Sequence, residues 1–502
     1  MILRPQINDL RVIGFFLGKI ASALGLIMLI PAVIGVLFSE ANPAADYVIA
    51  SEICFIVGLL LTLLCRGQTD LSWMQGMVVV SLGWLMAALL GAVPLHLSGH
   101  FASFLDAWFE AMSGFATTGL TLIKDLDHLS LAHNFWRHLM IFIGGQGIVV
   151  VAISLFMIKG GAGAFRIYVG EARDERVLPN VLSTARFIWL VSIVYLLLGT
   201  LALGVAGIVE GLGAKRAFFD GVCMFMAAFD TGGFTPRSQN ILYYHSLLIE
   251  SITMALMILG ALNFNLHYHL WNGKRKELFH NLEMRVLGIT MFVIFAIIAI
   301  DIMRLNLYPD ALTLFRKGVY QLISAHSGTG YSNLYPRQFI AEWGNLSLVG
   351  LIVAMGLGGS ICSTTGGIKA LRVGIMFKGL VQDVKQIMLP ESTVLQQKFH
   401  HLKEVVLEDK YVRVALVAVV LYFCVYVAGA FLGMVFGYPF LDSLFESTSA
   451  AANVGLSCGI TRPAMPALLK VAYIIEMWAG RLEFVSILVL GGFLIAVFRG
   501  KK

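Results

Sequence analysis

The sequence predicts an all-α polytopic membrane protein, with four pseudo-repeated helix–re-entrant pore loop–helix units around one pore and an N-terminal pair of helices before them. Three observations carry that expectation. The 502 residues are 58% hydrophobic and only 13% charged, about half the charge density of a soluble domain. Ten stretches hold the roughly 20 apolar residues that a bilayer crossing needs. Four further apolar stretches of about 13 residues are too short to cross and share one internal pattern. This composition excludes a disordered chain, a collagen, a disulfide scaffold and an ordinary cytosolic enzyme. The 51 glycines suit close helix packing and irregular backbone inside a membrane.

In chain order the crossing stretches are 12–37, 47–65, 73–95, 136–158, 187–209, 246–271, 284–304, 345–368, 411–436 and 468–498. The first is read as a retained helix, because it exceeds the length of a signal h-region and no small-residue cleavage site follows it. The short stretches lie at 104–116, 218–230, 315–327 and 440–452. Each falls between two crossing stretches, so the chain divides into an extension at 1–70 and units at 71–160, 161–273, 274–385 and 386–502. Lys and Arg settle the orientation. With the N-terminus inside, 23 of the 36 basic residues lie on the inner side, which makes both termini cytoplasmic and brings the short stretches in from outside. The +6 balance reflects that bias and requires no nucleic-acid partner.

The four short stretches align without a gap. Each begins with a phenylalanine (Phe104, Phe218, Phe315, Phe440) and reaches a glycine fifteen positions later (Gly119, Gly233, Gly330, Gly455). An apolar residue follows each glycine (Leu120, Phe234, Tyr331, Leu456), then a hydroxyl residue (Thr121, Thr235, Ser332, Ser457). Asp106, Asp220 and Asp442 share one slot near the start, where they suit a helix N-terminus. Irregular backbone at membrane depth survives only where it lines water or is packed in protein. Four such loops around an axis turn carbonyl oxygens inward, and the C-terminal ends of the short helices point the same way. Both features favour a desolvated monovalent cation.

Three other stretches stand out: Trp136–Val151, the glycine-rich run Gly358–Val373 (GGSICSTTGGIKALRV), and Gly480-Arg-Leu-Glu483. With the four loops they resemble the Trk/Ktr/HKT superfamily of potassium transporters, most of all its TrkH-type potassium-translocating subunits, over nearly the whole chain. The resemblance implies a selectivity filter in which the two residues before each glycine offer carbonyls to potassium. Those are Thr117 and Thr118, Thr231 and Gly232, Gly328 and Thr329, and Asn453 and Val454, with Gly119, Gly233, Gly330 and Gly455 permitting the backbone shape. It implies potassium uptake across a bacterial inner membrane, with the ion as the transported species and no organic cofactor. It also implies a homodimer and a cytosolic, TrkA-like nucleotide-binding regulatory subunit. The basic inner segments 159–186, 272–285 and 369–413 offer the docking surface, unless they are positive-inside charge alone. Beyond these partners the chain meets membrane lipid. A sodium-permeable or sodium-coupled relative is the alternative, since Asp230 sits beside the second loop and Asn453 opens the fourth. Passive flux and symport are both compatible with these residues.

Five glycines between 356 and 367 cannot comfortably sustain a regular helix. Tight helix packing is one reading of them. The other, implied by the resemblance, is an intramembrane gate below the filter, formed by Gly358, Gly359, Ser363, Thr364, Thr365, Gly366, Gly367 and Lys369. Arg481 lies within the last crossing stretch, and an intramembrane arginine is a functional candidate by default. It forms either a cation barrier at the constriction or a structural ion pair, with Glu476 and Glu483 nearby. No HExxH, GxSxG or paired-aspartate pattern falls in the crossing stretches, and no Walker A or GxGxxG motif is present, so the chain is read as no enzyme. The six cysteines are scattered singly and read as small buried hydrophobes. His267 and His269 read as membrane-interface residues beside the charged run at 274–285, not as a metal pair.

Overall fold

The computed structural model describes residues 5–66, 71–148, 166, 168, 169, 171, 181–308, 310–335, 340–390 and 395–499. Residues 149–158 of the expected span 136–158, most of the basic segment 159–186, and Arg4, Lys501 and Lys502 lie outside them.

The N-terminal pair is α1 (Ile7–Leu37) and α2 (Ala41–Leu64). Glycines let the two backbones touch: a Cβ on Gly18 would lie 2.8 Å from the Gly58 carbonyl, and one on Gly35 3.0 Å from the Ala44 Cβ. Each unit then opens with an unbroken helix: α3 (Trp73–Leu97), α6 (Val181–Val209), α11 (Leu282–Arg304) and α15 (Asp409–Val435). Ser72 starts α3 with a reciprocal cap to Gln75, and Asn281 caps α11 through the Glu283 amide. With α1 and α2 these are the six single helices, among the described residues, that are long and apolar enough to cross a bilayer.

The re-entrant helices are α4 (Phe104–Phe115), α7 (Ala214–Phe229), α12 (Ala311–His326) and α16 (Phe440–Ala451). Two of them start before the expected 218 and 315. Asp310 caps α12, its carboxylate accepting from the Thr313 amide at 2.6 Å. Because α7 starts at Ala214, Asp220 lies within it and not at its start, and it forms ion pairs with Arg216 and Arg237.

Among the described residues the closing helix of every unit ends inside its expected span, where the sequence pointed to a break in the third alone. In the first unit α5 (Leu131–Gln146) stops at Gly147, whose φ is 93°. In the second, α8 (Leu247–Ala261) and α9 (Phe264–Trp271) meet at 103°. The expected continuous span 246–271 is therefore corrected: Leu262 is extended and the Asn263 side chain caps α9. In the third, α13 (Asn345–Gly356) gives way to the glycine-rich loop, and a short helix α10 (Glu277–His280) precedes α11. In the fourth, α17 (Ala467–Arg481) and α18 (Val485–Arg499) meet at 112°, correcting the span 468–498.

After the loop, α14 (Ala370–Ile387) leads to a hairpin, β1 (Lys398–His401) and β2 (Lys403–Val406), absent from the sequence reading. Phe399 anchors it on Leu371, Ile375, Leu407 and Ala415. His400, outside the spans, donates to the Glu277 carboxylate at 2.9 Å, and that bond holds its imidazole above the ordinary value. His267 is buried against Tyr195 and the Leu259 carbonyl, so it braces the α8–α9 bend and is no interface residue. Cys424 is exposed on α15, against the buried-hydrophobe reading.

Candidate functional site: a ring of four loops and the constriction below it

Each re-entrant helix ends in the same way. In the first unit the Thr117 amide bonds the Gly114 carbonyl and the Thr118 amide bonds Ser113, the two bonds of a Schellman cap. The same pair recurs at Thr231 and Gly232, at Gly328 and Thr329, and at Asn453 and Val454. Such a cap requires a left-handed residue, and φ is 52° at Thr117, 51° at Thr231, 71° at Gly328 and 56° at Asn453. Gly and Asn take this shape readily, whereas a β-branched threonine held there is strained by on the order of 1–3 kcal/mol. The N–H groups of the cap thus turn back to the helix and are not available at the loop.

The four filter-slot glycines have φ of 86°, 63°, 80° and 95° at Gly119, Gly233, Gly330 and Gly455. A Cβ on Gly119 would strike the Gly232 carbonyl oxygen; on Gly233, that of Thr329; on Gly330, that of Val454; on Gly455, that of Thr118. Each unit thus abuts the next, and the fourth closes on the first. The ring is a backbone object: glycine is required both by conformation and by the neighbour's carbonyl. Above it opens a cavity of about 420 Å³ lined by all four glycines.

The sequence reading missed what braces the ring. Six positions after each starting phenylalanine stand Glu110, Met224, Gln321 and Glu446. Glu110 accepts from Thr121 at 2.8 Å and from the Leu122 amide at 3.0 Å. Glu446 accepts from Ser457 at 2.8 Å and from the Cys458 amide at 2.8 Å. Gln321 donates to Ser332 at 2.8 Å. The aligned hydroxyls two residues after the glycines were the available signal. In the first unit Arg137 joins Glu110 at 2.8 Å, both fully buried, and lies 4.1 Å over the Phe234 ring of the second. Further ion pairs cross between units: Lys470 with Asp106 at 2.5 Å, and Arg316 with Glu250 at 2.6 Å.

Below the ring lies the 357–369 loop. Leu357 and Ile368 form a parallel bridge, with the Gly358 amide donating to Ile368 at 2.9 Å. Gly367 is left-handed at 69°, and a Cβ on Gly358 would strike the Gly366 carbonyl. A Cβ on Gly366 would reach the Ala452 carbonyl under the fourth filter loop. The Thr364 hydroxyl is 3.1 Å from that of Thr231 and donates to Gly260 at 2.9 Å. Ser363 bonds Thr365 at 2.9 Å, and the Thr365 hydroxyl accepts from Gly359 at 3.1 Å. Lys369 donates to the Thr365 carbonyl. The packing reading holds for Gly358, Gly359 and Gly366, each of which leaves no room for a Cβ.

Arg481 ends α17 at the same level. It donates to Thr364 O at 2.6 Å, Gly144 O at 2.5 Å and the Thr117 hydroxyl at 3.1 Å. Its guanidinium thereby bridges the loop after α4, the end of α5 and the third-unit loop. Glu476 instead accepts from Ser447 at 3.2 Å, and Glu483 pairs with Arg372 and Lys369. Arg481, the 357–369 loop and the ends of the first and fourth re-entrant helices are thereby in contact. No group of three His, Cys, Asp or Glu side chains among the described residues has metal-binding geometry.

These features define a multi-pass membrane protein of the four-repeat pore-loop class. Comparison with known proteins makes it specific. Residues 45–494 match the family model "TrkH: Cation transport protein", and the chain belongs to that family. An uncharacterized cation transporter of Methanocaldococcus jannaschii is 31% identical over 489 residues, 97% of each chain. The Trk system potassium uptake protein TrkH of Halomonas elongata is 29% identical, covering 96% of this chain and 98% of its own. TrkG of Escherichia coli K12, also a Trk system potassium uptake protein, is 27% identical over 96% and 98%. The crystal structure of the potassium transporter TrkH from Vibrio parahaemolyticus superposes with a TM-score of 0.81 over 96% of this chain and 98% of that one. At 23% identity that likeness is one of fold.

Proposed function

We propose that the protein moves potassium across a cell membrane through the ring formed by its four loops. One observation carries the reading: four carbonyl–glycine contacts close a circle in the order of the units, from Gly119 on Gly232 to Gly455 on Thr118. Carbonyls held in such a ring replace the hydration shell of a monovalent cation. Thr117, Thr118, Thr231, Gly232, Gly328, Thr329, Asn453 and Val454 would coordinate the ion. That relatives are named potassium uptake proteins supports the potassium reading over the sodium one.

The loop from Gly358 to Lys369 and the Arg481 guanidinium would form the gate. A cation leaving the ring inward meets that fixed positive charge, which lies beside Thr117 and Thr364. The repeats would follow the boundaries 71–160, 161–273, 274–385 and 386–502 after an extension at 1–70. Both termini would face the cytoplasm, by the Lys and Arg bias. Nucleotide control would come from a separate cytosolic subunit, and the working assembly would be a homodimer. The test is flux into liposomes carrying the purified protein, with potassium, rubidium, sodium and lithium compared. Potassium and rubidium entering well ahead of sodium and lithium is the expected result. Equal sodium entry would move the protein to a sodium-permeable class, and no flux of any cation would end the pore reading.

A further inference from the structure

The break in the fourth unit is built unlike the others. Glu483 and Phe484 follow Arg481 with φ of 49° and 68°, two consecutive left-handed residues that both carry large side chains. That conformation persists only where the surroundings impose it, and it clusters at switch elements. On Phe484 the constraint is the Tyr422 ring, edge to face at 4.7 Å, with the Tyr422 hydroxyl donating to Gly480 O at 2.9 Å. On Glu483 it comes from the third unit. The carboxylate bonds Arg372, and the Lys369 ammonium stands 3.9 Å away.

These contacts close a circuit. Arg481 donates to the Thr364 carbonyl at 2.6 Å. The next residue, Thr365, gives its carbonyl to Lys369. Lys369 faces Glu483, two residues from where the circuit began. Lys369 and Glu483 are both buried. Around one small cavity the cations Lys369 and Arg481 face the carboxylates Glu483 and Glu171, the latter bonded to Trp84 at 3.2 Å. Arg372 adds a third cation on the Glu483 side. At low dielectric their mutual repulsion is poorly screened, and Glu483 is the carboxylate that touches the hinge and the loop at once.

We propose that Glu483 is a clamp: a positioning residue that couples the 357–369 loop to the hinge carrying Arg481, so that the two leave the axis together. The inference rests on the pore reading for its consequence but not for its geometry. Removing the carboxylate charge frees Lys369 and Arg372 from the hinge, relaxes Glu483 and Phe484, and withdraws Arg481 from Thr364.

The test compares Glu483→Gln, Glu483→Asp and the swap Glu483→Arg with Arg372→Glu in the full chain. Hydrogen exchange is read over 357–370 and 479–488, with potassium flux read in parallel. In the Gln variant we expect exchange to accelerate about tenfold in both segments together, while the ring at 117–121 keeps its parent rate and basal flux rises severalfold. Asp should return both readouts most of the way to the parent, and the charge swap, which leaves Lys369 facing an arginine, only in part. Acceleration in one segment only, in neither, or undiminished in the swap overturns the clamp, whether or not the protein conducts. An unmodified protein that passes no cation overturns the pore reading alone. Should Glu483→Gln fail to fold, Arg372→Gln is read against the same two segments, and parent-like exchange there overturns the clamp equally.

Discussion

The ring and the constriction below it stand a few residues apart and obey different rules. In the ring, four stretches with little side-chain identity share one backbone: a Schellman cap, a left-handed residue and a glycine against the next carbonyl. Below the ring, among the described residues, the four closing helices all end inside their expected spans, yet each end is made differently. Gly147 ends one, an extended Leu262 another, thirteen residues of loop from Leu357 to Lys369 the third, and two left-handed side-chain-bearing residues the fourth. Symmetry is kept where the backbone itself meets the axis. It is abandoned where side chains do the work, and there Arg481 ties the first loop to the end of α5.

The largest expected effect tests whether the ring is held from behind. Glu110→Gln leaves Arg137 buried beside Phe234 without its carboxylate. Breaking such a buried pair from one side costs about 3–5 kcal/mol, to be read as a fall in thermal midpoint of the detergent-solubilised protein. A midpoint within a degree of the parent would mean that the ring does not depend on this brace.

Next comes the difference between two glycines in one loop. Gly330→Ala adds strain and drives a Cβ into the Val454 carbonyl, so potassium-over-sodium flux should fall by roughly tenfold, about 1.4 kcal/mol of discrimination. Gly328→Ala is left-handed too, but its Cβ has 3.6 Å to the nearest atom. It should cost about 1 kcal/mol of stability from conformation alone and leave selectivity near the parent's. Equal selectivity loss in both would show that strain, and not the neighbour's carbonyl, decides.

Arg481→Gln tests the constriction in its own right. Removing the charge should raise potassium flux severalfold, an effect of about 1 kcal/mol on the barrier. Lysine keeps the charge but cannot span Thr117, Gly144 and Thr364 as the guanidinium fork does. Its flux should fall between the two. Flat or reduced flux in a well-folded Gln variant would make Arg481 a structural strut.

The smallest effect lies outside both regions. The Glu277 bond raises the His400 imidazole above its ordinary value, about 6.5. A raised folded value contributes stability that is complete below that ordinary value and is lost as pH rises through the folded one. The hairpin should therefore loosen on the alkaline side. Thermal midpoints at pH 6 and pH 8 should differ more in the parent than in His400→Gln, and an NMR titration of the ring should place its midpoint above the ordinary value.

The ring was legible in the sequence because its determinants are local. Phenylalanine, glycine and hydroxyl recur at fixed offsets within about twenty residues, and the alignment of Phe104, Phe218, Phe315 and Phe440 locates every loop. The third break was legible for the same reason, through its glycines. The breaks at Leu262 and at Glu483 were not. Neither contains glycine or proline, and partners distant in sequence impose them: the Cys362 carbonyl accepting from Phe264, and Arg372 holding Glu483. Glu110 and Glu446 share a slot that the alignment exposed, but their role appears only once the hydroxyls at Thr121 and Ser457 turn back onto them. The hairpin at 398–406 hid in a basic segment, its strands too short to show alternation.

That the circle of loops closes within one polypeptide, Gly455 against Thr118, has a genetic consequence. In a ring assembled from four copies of one subunit, every codon change is imposed four times. Here each quadrant mutates by itself. Four guanidiniums crowded around one axis would repel one another at close range in a medium of low dielectric, so an identical-subunit ring cannot easily admit an arginine at that level. A fused ring admits one and sets it against threonine in one quadrant and a glycine-rich loop in another, where a single substitution alters it alone.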